Sequence, residues 1–283
     1  MKQAISKIKE SLVPIYGSRE TDAMVRIIFE HLLNYSRVDI IMHKDNELSD
    51  FMRSKIDKVI ERLVAREPIQ YVFNDAYFHG HHFKVTPATL IPRPETEELV
   101  DMISDENKRE DLRVLDIGTG SGCIAISLAL YLPFSQVSAV DISADAIEVA
   151  KRNAAKLKAK VNFIQADILN SFPEEKFDII VSNPPYICEE EKADMEQNVL
   201  DFEPHTALFV PDTDPLLFYR SIAKNAIKAL NPGGKLYYEI NSRFAAETMK
   251  MLEDTGFSDI GIRKDMYNRN RFAVAKKPED AEQ

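Results

Sequence analysis

Three glycines, Gly118, Gly120 and Gly122, stand between a β-forming run and an apolar helix pattern in the stretch VLDIGTGSGCIAISLA. Glycine lets backbone approach a ligand closely and take positive φ, so a nucleotide-like ligand is expected over Gly118, Thr119, Gly120, Ser121 and Gly122. The dinucleotide fingerprint GxGxxG would need a third glycine at position 123, where Cys123 stands, so the fit to NAD is poor. Asp116 ends the strand ahead of the loop. A carboxylate there suits a ligand with a cationic amino group and repels a pyrophosphate, which favours S-adenosylmethionine. Two further acids end the next two predicted strands: Asp141, placed to accept from ribose hydroxyls, and Asp167, placed to take an adenine amino group with Ile168 as an apolar wall.

A fourth predicted strand, DIIVS, runs into Asn183, Pro184, Pro185 and Tyr186. Methyl transfer to a planar NH2 needs the nitrogen held in line with the methyl carbon, although its lone pair is delocalised. The Asn183 side-chain oxygen and the Pro184 carbonyl are two acceptors able to take one N–H each. Their pull favours a more tetrahedral nitrogen, so the gain is largest in the transition state. The prolines stiffen that corner, and Tyr186 offers a flat face to an amide or base. No general base is needed, because an N-alkylated amide cation gives up its proton to water. Cys188, just beyond, reads as a small buried packing residue.

The elements that must position these residues alternate. From Arg113 the runs RVLDIG, VSAVDIS, VNFIQAD and FDIIVSNPP are separated by helix patterns over Cys123–Tyr131 and Ala144–Leu157. Helices over 215–230 and 244–255 flank KLYYEI, and SDIGIRK and RFAVAKK close the chain. This predicts an α/β fold, a mostly parallel sheet covered on both faces, with the last two runs antiparallel. Ahead of it, apolar spacing of three and four (Met52, Ile56, Val59, Ile60, Leu63) predicts a helix closed by Pro68, and similar patterns lie around 2–13 and 21–33. The expected organisation is a helical domain over 1–70, a β-hairpin linker over 71–92 with Gly80 at its turn, and a catalytic domain over 93–283. The tail KKPEDAEQ is polar.

The 283 residues carry a net charge of −10 and 45% hydrophobic side chains, a globular composition unsuited to a protein held on nucleic acid by many phosphate contacts. Two cysteines without metal spacing suggest neither a disulfide framework nor a metal site. The stretch MKQAISKIKESLVPIYG lacks the uninterrupted apolar core of a signal peptide and nowhere do about 18 apolar residues run together, so a cytoplasmic protein is expected, away from membranes.

LIPRPETEELV, VLDIGTGSG, AVDIS, VSNPPYI and FEPHTALF together resemble the glutamine N5-methyltransferases of the HemK/PrmC family, over nearly the whole chain. NPPY alone is shared with DNA adenine and rRNA guanine amino-methyltransferases; the flanking motifs give the specificity. The resemblance implies a seven-stranded methyltransferase fold, S-adenosylmethionine as donor and S-adenosylhomocysteine as product. As substrate it implies the Gly-Gly-Gln glutamine of class-one peptide chain release factors. Its roles fall on Gly118 to Gly122, Asp141 and Ile168 for the donor, on Asn183 for donor and substrate, and on Pro184, Pro185 and Tyr186 for the glutamine. Arg93 and Glu95 lie in the linker motif and are expected at the active site; Glu203 and His205 read as structural. Relatives usually have glycine at Asn74, a residue that tolerates left-handed geometry.

The runner-up reading is an amino-methyltransferase of nucleic acid, which would want a basic groove or a target-recognition domain. A non-catalytic donor-binding scaffold is the third; Asn183 and Tyr186 both being present speak against it. The favoured reading takes a monomer with a protein substrate and no direct nucleic-acid substrate.

Overall fold

The computed structural model describes residues 1–279; the end of the polar tail, 280–283, lies outside the described residues. The chain forms two compact units, Met1–Asn74 with Glu196–Phe202, and Asp75–Met195 with Glu203 onward.

The first unit is helical. Helix Lys2–Leu33 contains Pro14, which lacks an N–H for the helical ladder, and Gly17 at φ 74°, ψ 168°, so it is two helical stretches meeting at a kink. Arg37–Met42 starts at a Ser36/Asp39 capping box, and Ser49 caps Asp50–Val64 through the Met52 N–H. Ile56, Val59, Ile60 and Leu63 are buried against Ile8, Leu12, Ile28 and Phe29, the stripe that the spacing predicts. The helix ends at Val64 and not at Pro68: Arg66 is left-handed, and the Glu67 N–H bonds back to the Arg62 carbonyl. Pro68 instead opens a short helix, Ile69–Phe73, closed by Asn74 at φ 51°, ψ 39°.

The predicted hairpin is correspondingly shorter than 71–92. Tyr71 and Val72 are helical, and only β1 (Ala76–Phe78) and β2 (His81–Phe83) pair, through a two-residue turn at His79 and Gly80 with positive φ at both. Helix Pro94–Glu106 follows, with Pro94 at its first position.

The sheet is built from β3 (Arg113–Ile117), β4 (Gln136–Asp141), β5 (Val161–Gln165), β6 (Phe177–Ser182), β9 (Leu230–Glu239), β10 (Ser258–Lys264) and β11 (Asn270–Lys276); β7 (Ile187–Cys188) and β8 (Phe209–Val210) form a separate parallel pair. Its order is β10-β11-β9-β6-β3-β4-β5. Strand β11 runs antiparallel to both neighbours, and the pairs among β3, β4, β5, β6 and β9 are parallel. Along β3 and β6 successive residues alternate between two cores. Val114, Ile179 and Val181 face helices Pro94–Glu106 and Cys123–Tyr131; Leu115, Ile117 and Ile180 face Leu217–Ala229 and Ala245–Thr255. The chain lays down β3, β4 and β5 to one side, then crosses to β6 on the other. The carboxyl ends of β3 and β6 therefore flank the crevice where open α/β sheets take ligands.

Candidate active site

Strand β3 ends at Ile117, and the Gly118 and Thr119 N–H groups both donate to the Val140 carbonyl, tying the loop to β4. Gly122 has φ 81°, and a Cβ there would stand 2.9 Å from Ile126 Cδ1 and 3.1 Å from Ala150 Cβ: the loop packs hard on the helices behind it. Gly120 has φ 55° and nothing within 4 Å of its would-be Cβ. That side is open, and it borders a cavity of about 400 Å³.

The cavity brings together most of the residues that the sequence singles out. Gly118, Thr119, Gly120, Ser121, Asp141, Asp167, Ile168, Asn183, Pro184, Pro185 and Arg93 all border it. Asp141 takes the Gly120 N–H on Oδ2 (2.8 Å) and the Ser143 N–H on Oδ1 (2.9 Å). Each oxygen keeps a further lone pair for a ligand hydroxyl. Burial pushes its carboxyl upward despite those donors. Asp167 holds its own turn, accepting from Leu169 N (2.9 Å) and Asn170 Nδ2 (2.6 Å). Ile124, Ile142, Phe218 and Ile222 supply apolar walls.

Four expected site residues stand elsewhere. Asp116, expected to face the donor's amino group, is fully buried and does not border the cavity. Its Oδ2 accepts from Thr119 Oγ1 (2.6 Å) and Ala125 N (3.2 Å), so it braces the glycine loop from beneath, and burial pushes its carboxyl up to about 7. Gly122 faces the helices as described. Tyr186 does not border the cavity either; its hydroxyl donates to Glu239 Oε1 at 3.1 Å, and its carbonyl accepts from Asn241 Nδ2 at 3.0 Å. Glu95 lies off the cavity; its charge adds only a last, small push to the Glu239 carboxyl, which burial raises first.

Asn183 is half-buried on the cavity wall, and among the described residues neither its carboxamide nor the Pro184 carbonyl has a hydrogen-bond partner. An acceptor pair left open beside a glycine-lined cavity matches what a planar NH2 requires. Cys123 also borders the cavity, but burial pushes its thiol up to about 12, which removes it as a nucleophile. Cys188 is buried, with its thiol raised to about 11 first by burial and then by Glu191.

The linker is held by a buried acid. Glu203, 4% exposed, accepts from the Ile91 N–H on Oε2 (3.1 Å) and from Arg93 Nη2 on Oε1 (2.5 Å). His205 packs edge-on against Phe209 and does not itself border the cavity.

A family model for the methyltransferase small domain matches residues 95–202, and one for the PrmC N-terminal domain matches residues 3–73. A release factor glutamine methyltransferase of Bacteroides thetaiotaomicron is 45% identical over 98% of this chain and 100% of its own length. One of Streptococcus pneumoniae is 37% identical over 99% of both. The chain belongs to the HemK/PrmC family. A methyltransferase structure from Pyrococcus furiosus shares the fold, with TM-score 0.51 and 18% identity over 81% of this chain and all of that one.

Within this HemK/PrmC frame, three residues escape a reading of motifs. Thr96 is buried, borders the cavity and donates to Glu239 Oε2 at 2.7 Å. Glu239, 2% exposed at the end of β9, is a buried acid in YYEIN, and only its place after an apolar strand hints at it. Ile142 is 59% exposed at the cavity, an apolar residue straight after the acidic strand end. Among the described residues there is no cluster of metal-ligating groups, and no helix is long and apolar enough to cross a membrane.

Proposed function

We propose that this protein transfers a methyl group from S-adenosylmethionine to the side-chain amide nitrogen, N5, of the glutamine in the Gly-Gly-Gln loop of class-one peptide chain release factors, supporting translation termination. The observation that carries the reading is the open acceptor pair at Asn183 and Pro184 beside the glycine loop. The family relatives named release factor glutamine methyltransferase support the choice of substrate.

The residues present suit the donor. Its chemistry is an electrophilic methyl on a sulfonium. The open face of the loop from Gly118 to Ser121 admits its amino acid part, the free lone pairs of Asp141 take ribose hydroxyls, and Asp167 with Ile168 borders the base. Asp116 and Gly122 act from beneath by fixing the shape of that loop.

Asn183 and Pro184 then orient the glutamine. Each carbonyl oxygen takes one N–H, which turns the nitrogen lone pair toward the methyl group and lowers amide conjugation as transfer begins. Pro185 stiffens the backbone behind them. The proton left on the alkylated nitrogen passes to water, and no protein base is needed. Arg93, whose charge is shared with Glu203, edges the substrate side of the cavity.

The helical unit, the hairpin and the catalytic unit take the roles of recognition, linkage and chemistry in this reading. A single glutamine offers little surface for discrimination, so the factor is gripped away from its tip. The enzyme works as a monomer in the cytoplasm.

The test is transfer of labelled methyl to a purified release factor. Label is expected on the wild-type factor and absent from one whose Gly-Gly-Gln glutamine is alanine. Asn183→Ala is expected to lower turnover by at least about a hundredfold, the size of one oxyanion-type contact, with S-adenosylhomocysteine binding kept. Label in DNA or rRNA with the factor untouched would select the nucleic-acid reading instead.

A further inference from the structure

The NPPY corner has a problem of support. Past Ser182 the strand ladder stops, and two successive prolines bring no N–H with which to anchor the backbone. Ser182 is pinned by its own hydroxyl, which donates to the Ile117 carbonyl at 2.7 Å. The far end of the corner depends on Tyr186.

Strand β9 supplies that support. Tyr238 pairs with Ser182 in the parallel ladder, so Glu239, the next residue, ends its strand in the same row as Asn183. Both its oxygens are engaged: Oε1 by the Tyr186 hydroxyl and Oε2 by the Thr96 hydroxyl. Two residues on, Asn241 Nδ2 donates to the Tyr186 carbonyl. Arg271 donates to Asp265 Oδ2 (3.2 Å), reaches the Tyr186 hydroxyl (3.5 Å), and places its charge beside the buried carboxylate. Burying a carboxylate costs stability, and an apolar side chain would fill the space without that cost. The acid does not touch the cavity, but Thr96, one of its partners, does.

We propose that Glu239 is a positioning residue for methyl transfer: through Tyr186 it fixes the acceptor pair at Asn183 and Pro184, and through Thr96 it locks the first turn of helix Pro94–Glu106 against that corner. The inference rests on the methyl-transfer reading of the same site and assigns Glu239 and Thr96 a part in it.

The experiment compares the full chain with Glu239→Gln, Tyr186→Phe, their double variant, and Thr96→Val. Glutamine keeps the shape of Glu239 but turns one acceptor into a donor. Loss of a hydrogen bond to a charged group corresponds to about a tenfold to hundredfold effect. Expected for Glu239→Gln is a fall of that size in kcat on the release factor, with KM and the Kd of S-adenosylhomocysteine within about twofold of wild type. The double variant is expected to lose no more than the worse single one, because both break one contact. A buried group that only stabilised the fold would lower the melting temperature, leave kcat per folded molecule intact and show no such coupling.

A second readout needs no substrate. With 3-fluorotyrosine in place of the 10 tyrosines, the signal that Tyr186→Phe removes is expected to shift in Glu239→Gln. An unchanged Tyr186 signal, or an unchanged kcat, overturns the proposal. If wild type places no label on the factor, the methyl-transfer reading fails, and the fluorine signal alone then decides whether Glu239 orders the corner. Should Glu239→Gln fail to fold, Thr96→Val carries the test, with a smaller fall in kcat expected and a wild-type value refuting the link.

Discussion

Two alanine substitutions two residues apart, Gly120→Ala and Gly122→Ala, separate what the glycine loop does for the ligand from what it does for the fold. Both positions are left-handed, at φ 55° and 81°. Alanine there costs about 1–2 kcal/mol, offset by about 0.4–1 kcal/mol from the stiffer unfolded chain. Gly120→Ala should therefore cost about 0–1.5 kcal/mol, since nothing lies within 4 Å of its new methyl. At Gly122 the methyl meets Ile126 Cδ1 at 2.9 Å, which is a flexible tip, but also Ala150 Cβ at 3.1 Å and Cα at 3.4 Å, which cannot rotate away. Overpacking of this kind adds about 1–3 kcal/mol. In a unit of about 200 residues each kcal/mol is about 2–4 °C, so Gly122→Ala should melt about 2–18 °C below wild type and Gly120→Ala within about 6 °C of it. Calorimetric binding of S-adenosylhomocysteine should show the reverse ranking: at least about tenfold weaker in Gly120→Ala, whose methyl enters the cavity, and less affected in folded Gly122→Ala. A Gly122→Ala melt equal to wild type, or wild-type affinity in Gly120→Ala, would refute the division of labour.

Asp116 makes stability depend on pH with an unusual sign for a carboxylate. Its folded pKa, raised to about 7 by burial, exceeds the ordinary unfolded value of about 3.9, so its stabilisation is full below about pH 4 and is lost as pH rises toward 7. Relative to Asp116→Asn, the wild type should gain about 1–3 kcal/mol between pH 8 and pH 5 in urea unfolding, and a flat difference would show that the loop does not hold a buried acid. Glu203→Gln turns a donor toward either the Ile91 N–H or Arg93 and should cost about 1–3 kcal/mol in the same assay, with no loss expected if Glu203 were solvated.

Helix Cys123–Tyr131 is legible as an apolar run straight after the glycine loop, buried on successive residues, and Ala144–Leu157 as an amphipathic pattern between two strands, capped by Ser143, which accepts from Ala146 N. The hairpin is legible only in its turn. Tyr71–Phe73 has the composition of a strand, yet Pro68 presets a helical turn, and local chemistry outweighs β propensity. The orientation of Asp116 follows from a rule the motif obscures. Strand period two puts it on the face of Val114, beneath helix Cys123–Tyr131, and therefore away from the ligand. Glu239 and Thr96 are illegible for a different reason: they lie 143 residues apart, and nothing local marks a strand-end glutamate as buried until the helix that covers it is in place.

The charge at the cavity follows from these placements. Arg93 brings a guanidinium to its edge, but Glu203 takes that charge in a contact with only 1% of its own side chain exposed. Asp141 and Asp167 border the same space, and among the described residues neither forms an ion pair. Both are held by neutral N–H donors, which stabilise a carboxylate without cancelling its field. Half-enclosed space screens less than open water, so the cavity carries net negative potential. A pyrophosphate would be repelled there and a cationic sulfonium amino acid drawn in, a preference that Cys123 in place of a third glycine only hints at. Neutralising one wall tests this without touching the acceptor corner: Asp167→Asn should weaken a cationic sulfonium analogue more than S-adenosylhomocysteine, whose sulfur is neutral. Equal losses for the two ligands would mean that Asp167 acts through its hydrogen bonds alone.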